Sequence, residues 1–491
     1  MRLPRLAPLA FAALSLLAAP EACAVYLSAQ GVGQALLFPY YTVRSAGGNA
    51  FNTYVSVTNT GDLPVVARVR FREGRNSRVV TEFNLYLYGR DMWTAALVPD
   101  GAGTRLVTSD LSCTNPALPA GGLPFSTAAF ASGDDGAGTG AERTQEGHIE
   151  VIGMATLSIN VAGGALSPYG GRNCAAVQGA TPDLGVLATP TDVLAGNATL
   201  INVQSGLDAG YVADALAALT SSAFYTLPGQ AGTDFDAPQV DAVSAHIIGN
   251  VSYRMLWLNG VQAVNAALTS EIFDNEFVLD PTTASKTDWV VTFPTRHLLV
   301  TGTSAGAPFY APFGTGVLFA TSCEGATMEA FDREGVERVG NQFPEEPPSQ
   351  YRVCWSATAF SMRSTINAWT GQPSDVLGAA NTLGFGPLPL PPDAAGPAAV
   401  GVAVTNGAAN GHMTLHFQNG GLATALAGTT WVDLKTGTAG NGAVTLPGYP
   451  VIGFMVRTFE NGTLACAGAV CQGNYASAFA HRRVMRVIPP R

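Results

Sequence analysis

From Gly33 to Leu97 the chain alternates short β-type runs with turn residues, and this two-residue rhythm leaves little room for anything but stacked sheets. Ala35 to Val43 is apolar and aromatic, Ala46-Gly47-Gly48-Asn49 turns, and Phe51 to Thr58 alternates. Asn59-Thr60-Gly61-Asp62 leads into Val65 to Phe71, and Glu73-Gly74-Arg75-Asn76-Ser77 closes a hairpin onto Val79 to Tyr88. The pattern predicts a sandwich-type meander of four or five strands. In its third run Ala67, Val69 and Phe71 point one way and Arg68, Arg70 and Arg72 the other. Three arginines in register repel unless acids such as Glu73 and Glu82 or a facing strand compensate them. They are expected on a solvated face, with Arg68, Arg70, Arg72 and Trp93 as a possible anion- or glycan-binding surface. Trp93 belongs to an aromatic concentration with Tyr40, Tyr41, Tyr86 and Tyr88, most of which should be core.

Composition extends the same reading over the whole chain. Charged residues are 12% of the 491 and glycines number 56, which favours sheets joined by Gly-rich turns over helices with charged outer faces. The expected fold class is all-β: two or more sandwich-like, Ig-like lobes with long Gly-rich loops and one short helix. An N-terminal lobe spans 25–110, a central β-rich domain with loop insertions spans 111–390, and a C-terminal lobe spans 398–491. Strands are expected at Glu150 to Val161, Thr199 to Val203, His246 to Leu258, Trp289 to Thr295 and Gly316 to Ala320. More follow at Met413 to Phe417, Thr430 to Leu434, Ile452 to Phe459 and Val484 to Ile488. The helix is expected at Ala209 to Leu219, where Val212, Leu216 and Leu219 share a face. Asn341 to Ser349 is polar and Pro-rich, and prolines between Gly384 and Pro397 mark a lobe boundary.

The first 24 residues predict export. Arg2 and Arg5 precede an apolar run from Leu6 to Ala19, followed by the small-x-small site Ala22-Cys23-Ala24. Pro20, Glu21 and Ala22 do not make a lipid-attachment box for Cys23, so cleavage is expected after Ala24. Six cysteines remain: Cys113, Cys174, Cys323, Cys354, Cys466 and Cys471. In an oxidising compartment they read as disulfides, with 15 pairings possible. The simplest is nearest-neighbour. Outside the cytoplasm the chain is expected to be extracellular or at the cell surface, with the periplasm as the alternative.

Several function classes fall away. The net charge is −10, and the leader carries Arg2, Arg5 and Glu21, so the remainder stands near −11 and suits nucleic acid poorly. After the leader, no run of 18 apolar residues predicts a membrane helix. An outer-membrane barrel is disfavoured by the Pro489-Pro490-Arg491 end and the irregular loop spacing. The Cys466 to Cys471 spacing is not a zinc knuckle, and His412 and His416 on a strand would stand ~13 Å apart. No Gly-x-Ser-x-Gly or Gly-rich phosphate loop is present. No catalytic residue, metal ligand or cofactor is therefore assigned. Calcium is the one ion the acids Glu271, Asp274, Glu276, Asp280 and Asp288 would suit, although they lack the Asp-x-Asp-x-Asp-Gly arrangement of a calcium loop.

Several short strings recur in a recognisable set. They are Phe38-Pro39-Tyr40-Tyr41, Val69-Arg70-Phe71-Arg72-Glu73-Gly74, Phe83-Asn84-Leu85-Tyr86-Leu87 and Asp91-Met92-Trp93-Thr94-Ala95. Similar echoes run from Thr287 to Thr295 and from Leu446 to Phe454. Through these strings, about a quarter of its length, the chain resembles a family of uncharacterised secreted bacterial β-rich proteins. The resemblance implies one extended architecture and carries no activity.

The function expected from sequence is that of a secreted, non-enzymatic cell-envelope or extracellular structural or interaction protein, assembling with itself or another envelope component through exposed strand edges. The alternative is a secreted polysaccharide hydrolase whose carboxylate pair would come from the Glu271 to Asp288 acids.

Overall fold

The computed structural model describes residues 24–489 apart from 47, 159–172, 311, 314–322, 338–349, 364–372, 381–401, 404–408, 418–421 and 467–468. Residues 1–23 of the leader, the last three residues of the run Glu150 to Val161, the run Gly316 to Ala320 and the Pro-rich stretches Asn341 to Ser349 and Gly384 to Pro397 lie outside the described residues. Strands make up 50% of the structure and helices 7%, so the chain is all-β.

The four runs read from Ala35 to Tyr88 all form strands: Ala35–Thr42, Asn52–Asn59, Val65–Glu73 and Val79–Leu87. They do not form a simple meander. Ala35–Thr42, Val65–Glu73 and Val79–Leu87 join one seven-stranded sheet, while Asn52–Asn59 crosses to a facing six-stranded sheet beside Met92–Asp100. Between the sheets lies a core containing Phe38, Val55, Val69, Phe71, Phe83, Trp93 and Val151. The alternation dictates this: each strand turns one side chain in two towards the facing sheet.

This first sandwich runs well beyond residue 110. Glu146–Thr156 sits in the middle of the seven-stranded sheet between Ala35–Thr42 and Val65–Glu73, and Leu194–Asn202 pairs with Asn52–Asn59. The segment expected as a helix, Ala209 to Leu219, instead supplies the strands Leu207–Val212 and Asp214–Ala217. Ala209 and Tyr211 face the core while Gly210 and Val212 do not, a period of two that the leucine spacing further on conceals.

A second sandwich faces Cys323–Asp332, Asn410–His416 and Ile272–Val278 against Ala357–Arg363, Lys286–Thr292 and Ile452–Cys466. Strands on both sides of the expected 390/398 boundary therefore interleave in its sheets. One of those sheets serves two cores. Trp289, Val291, Phe360 and Met455 fill the second sandwich, whereas Val290, Ala359, Phe454 and Val456 turn into the first. Tyr211 stacks on Phe454 at 4.5 Å between ring centroids across that junction.

A third, four-stranded sheet built from Val243–Ile248, Val251–Leu256, Thr430–Asp433 and Ala439–Asn441 packs with the helix Gly260–Leu268. That helix begins at Asn259, whose side chain accepts the Gln262 amide, while Gln262 Oε1 accepts from Leu258 N. The Asn-x-x-Gln spacing was the available signal for it. Disulfides join Cys113 to Cys174 and Cys323 to Cys354. Cys466 and Cys471 sit near the end of a hairpin in which Cys466 is opposite Ala469, and their side chains lie outside the described residues. Among the described residues no helix is long and apolar enough to cross a membrane.

Candidate functional site

The arginine row does leave the core face of Val65–Glu73, but it does not meet water. Arg68 is 0%, Arg70 6% and Arg72 4% exposed. Strand register explains what covers them. Arg70 lies opposite Glu82 on one neighbouring strand and Glu150 on the other, while Arg72 lies opposite His148 and Arg68 opposite Asn84. The outer face of the seven-stranded sheet therefore carries a polar ladder three strands wide. The 224–236 segment and the short helix Arg296–Leu299 close over it, bringing Thr226, Asp234 and His297.

Each arginine is held at several points. Arg68 donates to Asn84 Oδ1 at 2.7 Å, Glu82 Oε2 at 3.1 Å and the Thr226 carbonyl at 2.9 Å. Arg70 donates to Glu82 Oε2 at 2.8 Å and Asp234 Oδ2 at 3.0 Å. Arg72 reaches Glu150 Oε2 at 2.7 Å and Asp234 Oδ2 at 3.2 Å. Buried charge is tolerated only with such pairing. The expected solvated face or binding surface is thus corrected: these groups are spent on one another. Trp93 is also 1% exposed and packs edge-on against Phe83 at 5.6 Å in the first core, so it offers no surface either.

Beside Arg72 the ladder changes character. Glu150 Oε1 faces His148 Nε2 at 3.8 Å and His297 Nε2 at 3.9 Å, and His297 Nε2 lies 4.0 Å from Asp234 Oδ2. These separations exceed hydrogen-bond reach. Both ring nitrogens of His148 and of His297, together with Glu150 Oε1, are buried without a hydrogen-bond partner. Burial pushes the Glu150 carboxyl up, but the Arg72 charge and the flanking imidazoles outweigh it and hold it at about 2. Burial and the Arg72 charge push His297 well below its ordinary value. The pocket therefore holds an ionised carboxylate beside a neutral imidazole. Glu150, Asp234 and His297 each bring one ligand-type atom within 4.8 Å of the others. His297 and Asp234 side chains retain 11% and 17% exposure, which leaves an opening to solvent on that side.

Sequence reasoning missed this cluster. His148 and Glu150 alternate with Ile149 and Val151, a signal that both sit on one outer face, but Asp234 arrives from a distant loop and His297 from a distant short helix.

Two other buried arginines are held in ion pairs. Arg143, fully buried over the Phe130 ring, donates to Glu73 and to both oxygens of Asp135, and although burial raises Asp135 these contacts hold it at about 2. Arg296 donates to Glu324 at 2.9 Å and to the Trp355 carbonyl, while Tyr449 donates to Glu324 at 3.1 Å.

The acids read for a hydrolase or for calcium each have their own partners. Glu271 is clasped by Arg486 at 2.7 Å, Asp274 by Arg482 at 3.0 Å and Glu276 by Arg457 at 3.1 Å. Asp280 caps a turn through Thr282, and Asp288 is buried, accepting from Ser361 and the amides of Val376 and Leu377. His412 and His416 follow the alternation of a strand, as expected.

No family model, curated protein or solved structure matches this chain.

Proposed function

We propose that the chain is an exported, non-enzymatic structural or interaction protein of the envelope or extracellular space that associates through an exposed strand edge. The observation that carries this reading is Ala469–Ala480, a 12-residue strand at the end of its sheet, hydrogen-bonded on one side to Ile452–Cys466. An edge strand presents unpaired amides and carbonyls to another chain, and here Leu207–Val212 packs beside part of it, with Asn474 Nδ2 donating to the Ser205 carbonyl. Along this one Tyr475 is 58% and Phe479 45% exposed, with the Arg457 guanidinium 4.9 Å from the Phe479 ring centroid. Rigid aromatics beside an arginine are the residue types that anchor protein interfaces. The two disulfides and the leader read from sequence support export.

Light scattering on the chain lacking residues 1–24, across a concentration series, tests the association. The parent is expected to form dimers or larger species, and Tyr475→Lys with Phe479→Lys to remain monomeric while keeping the parent circular dichroism. A parent that stays monomeric throughout refutes the reading. Protease shaving of intact cells tests the location: cleavage of the chain is expected at the surface, and protection until the envelope is opened would place it inside.

A further inference from the structure

We infer that His148, Glu150, Asp234 and His297 form a binding site for one divalent transition-metal ion, zinc being the ion its donors suit best. The inference goes beyond the association proposed above and does not depend on it.

Three observations carry it. First, the donor set is of the right kind. Two imidazoles with two carboxylates is a mixed nitrogen and oxygen set that zinc and its first-row neighbours favour over calcium or magnesium. Secondly, the donors converge. Glu150 Oε1 is 3.8 and 3.9 Å from the Nε2 atoms of His148 and His297, and the latter is 4.0 Å from Asp234 Oδ2. Ligand atoms on a tetrahedral zinc stand roughly 3.3 Å apart, given zinc–nitrogen bonds near 2.0 to 2.1 Å. Glu150, Asp234 and His297 each bring a ligand atom within 4.8 Å of the other two, and His148 joins them from the side of Glu150.

Thirdly, the atoms that would bind are the ones left without partners. A buried polar atom with no hydrogen bond costs about 1 to 3 kcal/mol. His148, whose side chain is 1% exposed, has neither nitrogen satisfied, and the same holds for both nitrogens of His297 and for Glu150 Oε1. Arg72 lies 2.7 Å from Glu150 Oε2 as an ion pair, and neither oxygen of Glu150 receives a hydrogen bond. Two imidazole rings face Oε1. An ion between them would satisfy the facing nitrogens and the carboxylate together.

The neighbouring charges shape the site. Arg72 contacts Glu150 through Oε2, leaving Oε1 to the imidazoles, whereas Arg70 and Arg72 hold Asp234 through Oδ2, the oxygen that also faces His297. Glu82 offsets Arg68 and Arg70 on the far side. The same arginines oppose a second cation, so the site takes one ion.

The test uses the full chain without residues 1–24, stripped with chelator and titrated with Zn2+ by calorimetry, with Co2+ as a spectroscopic probe. The expected result is one equivalent of Zn2+, displaced by no excess of Ca2+, and visible Co2+ bands of a site containing nitrogen ligands. His297→Ala, at the partly open side of the cluster, is expected to fold and to weaken Zn2+ at least about 100-fold, since loss of a supporting partner alone costs 10- to 100-fold. Glu150→Gln, close in volume, is expected to do the same and guards against a folding defect in the first variant. A parent that binds no stoichiometric Zn2+ refutes the inference. So does a folded His297→Ala or Glu150→Gln protein that binds as the parent does.

Discussion

His481 shows what one buried titratable side chain contributes. It lies beneath Trp289 and Phe273, with Asn275 Nδ2 donating to its Nδ1 and its own Nε2 donating to the Val290 carbonyl. Burial pushes its pKa down to about 3. The unfolded chain takes up a proton near pH 6.5 that the folded chain refuses until about pH 3. Stability contributed by the neutral ring is thus whole above pH 6.5 and is lost as pH falls through that window, at up to about 1.4 kcal/mol per pH unit. His246, burial-shifted to about 4, acts in the same direction. Urea midpoints should therefore fall between pH 7 and 4, and fall less steeply in His481→Gln. Identical slopes for the two proteins would refute the role. At this scale the sequence was a poor guide. It placed Arg68, Arg70 and Arg72 together on one strand face, but nothing local reveals that Thr226 and Asp234 cover that face. Whether a polar row is wet depends on what a loop 150 or so residues away does, and composition carries no trace of that.

Individual strands were legible because alternation is a local property. Val65–Glu73, Val79–Leu87 and Thr430–Asp433 fall within a few residues of where turn signals place them. The misread element, Leu207–Val212 with Asp214–Ala217, contains alanine and leucine residues whose helical spacing competed with the alternation, and sheet pairing prevailed. The disulfides act at this scale too. Cys113 sits at the edge of the seven-stranded sheet opposite Tyr86, and its bond to Cys174 closes a loop across a separation of 61 residues. On the chain-entropy account, removing such a bond costs about 2 to 5 kcal/mol. Cys113→Ser with Cys174→Ser should lower the denaturation free energy by that amount with the native circular dichroism retained, and a change under about 1 kcal/mol would show that the loop is constrained by its packing alone.

At the scale of the molecule, sequence reasoning cut the chain into consecutive lobes, whereas the sheets interleave distant segments. One sheet presents Val290 and Phe454 to the first core and Trp289 and Met455 to the second, so neither core is complete without it. A single calorimetric transition is expected, and Phe454→Ala should lower the melting of the whole chain by removing about 3 to 5 kcal/mol of packing. Two resolved transitions, only one of them shifted, would show that the sandwiches unfold apart. The same sheet also sets an order of events in time. Lys286–Thr292 pairs with Ile452–Cys466, Trp289 opposite Met455, so the earlier strand waits for a partner more than 150 residues later in the chain. Until then the apolar side of the first sandwich that Phe454 and Val456 will cover stays open, and such nascent surfaces adhere to their neighbours. Shielding of that apolar side until its covering strand arrives is accordingly expected to matter to the yield of the folded protein.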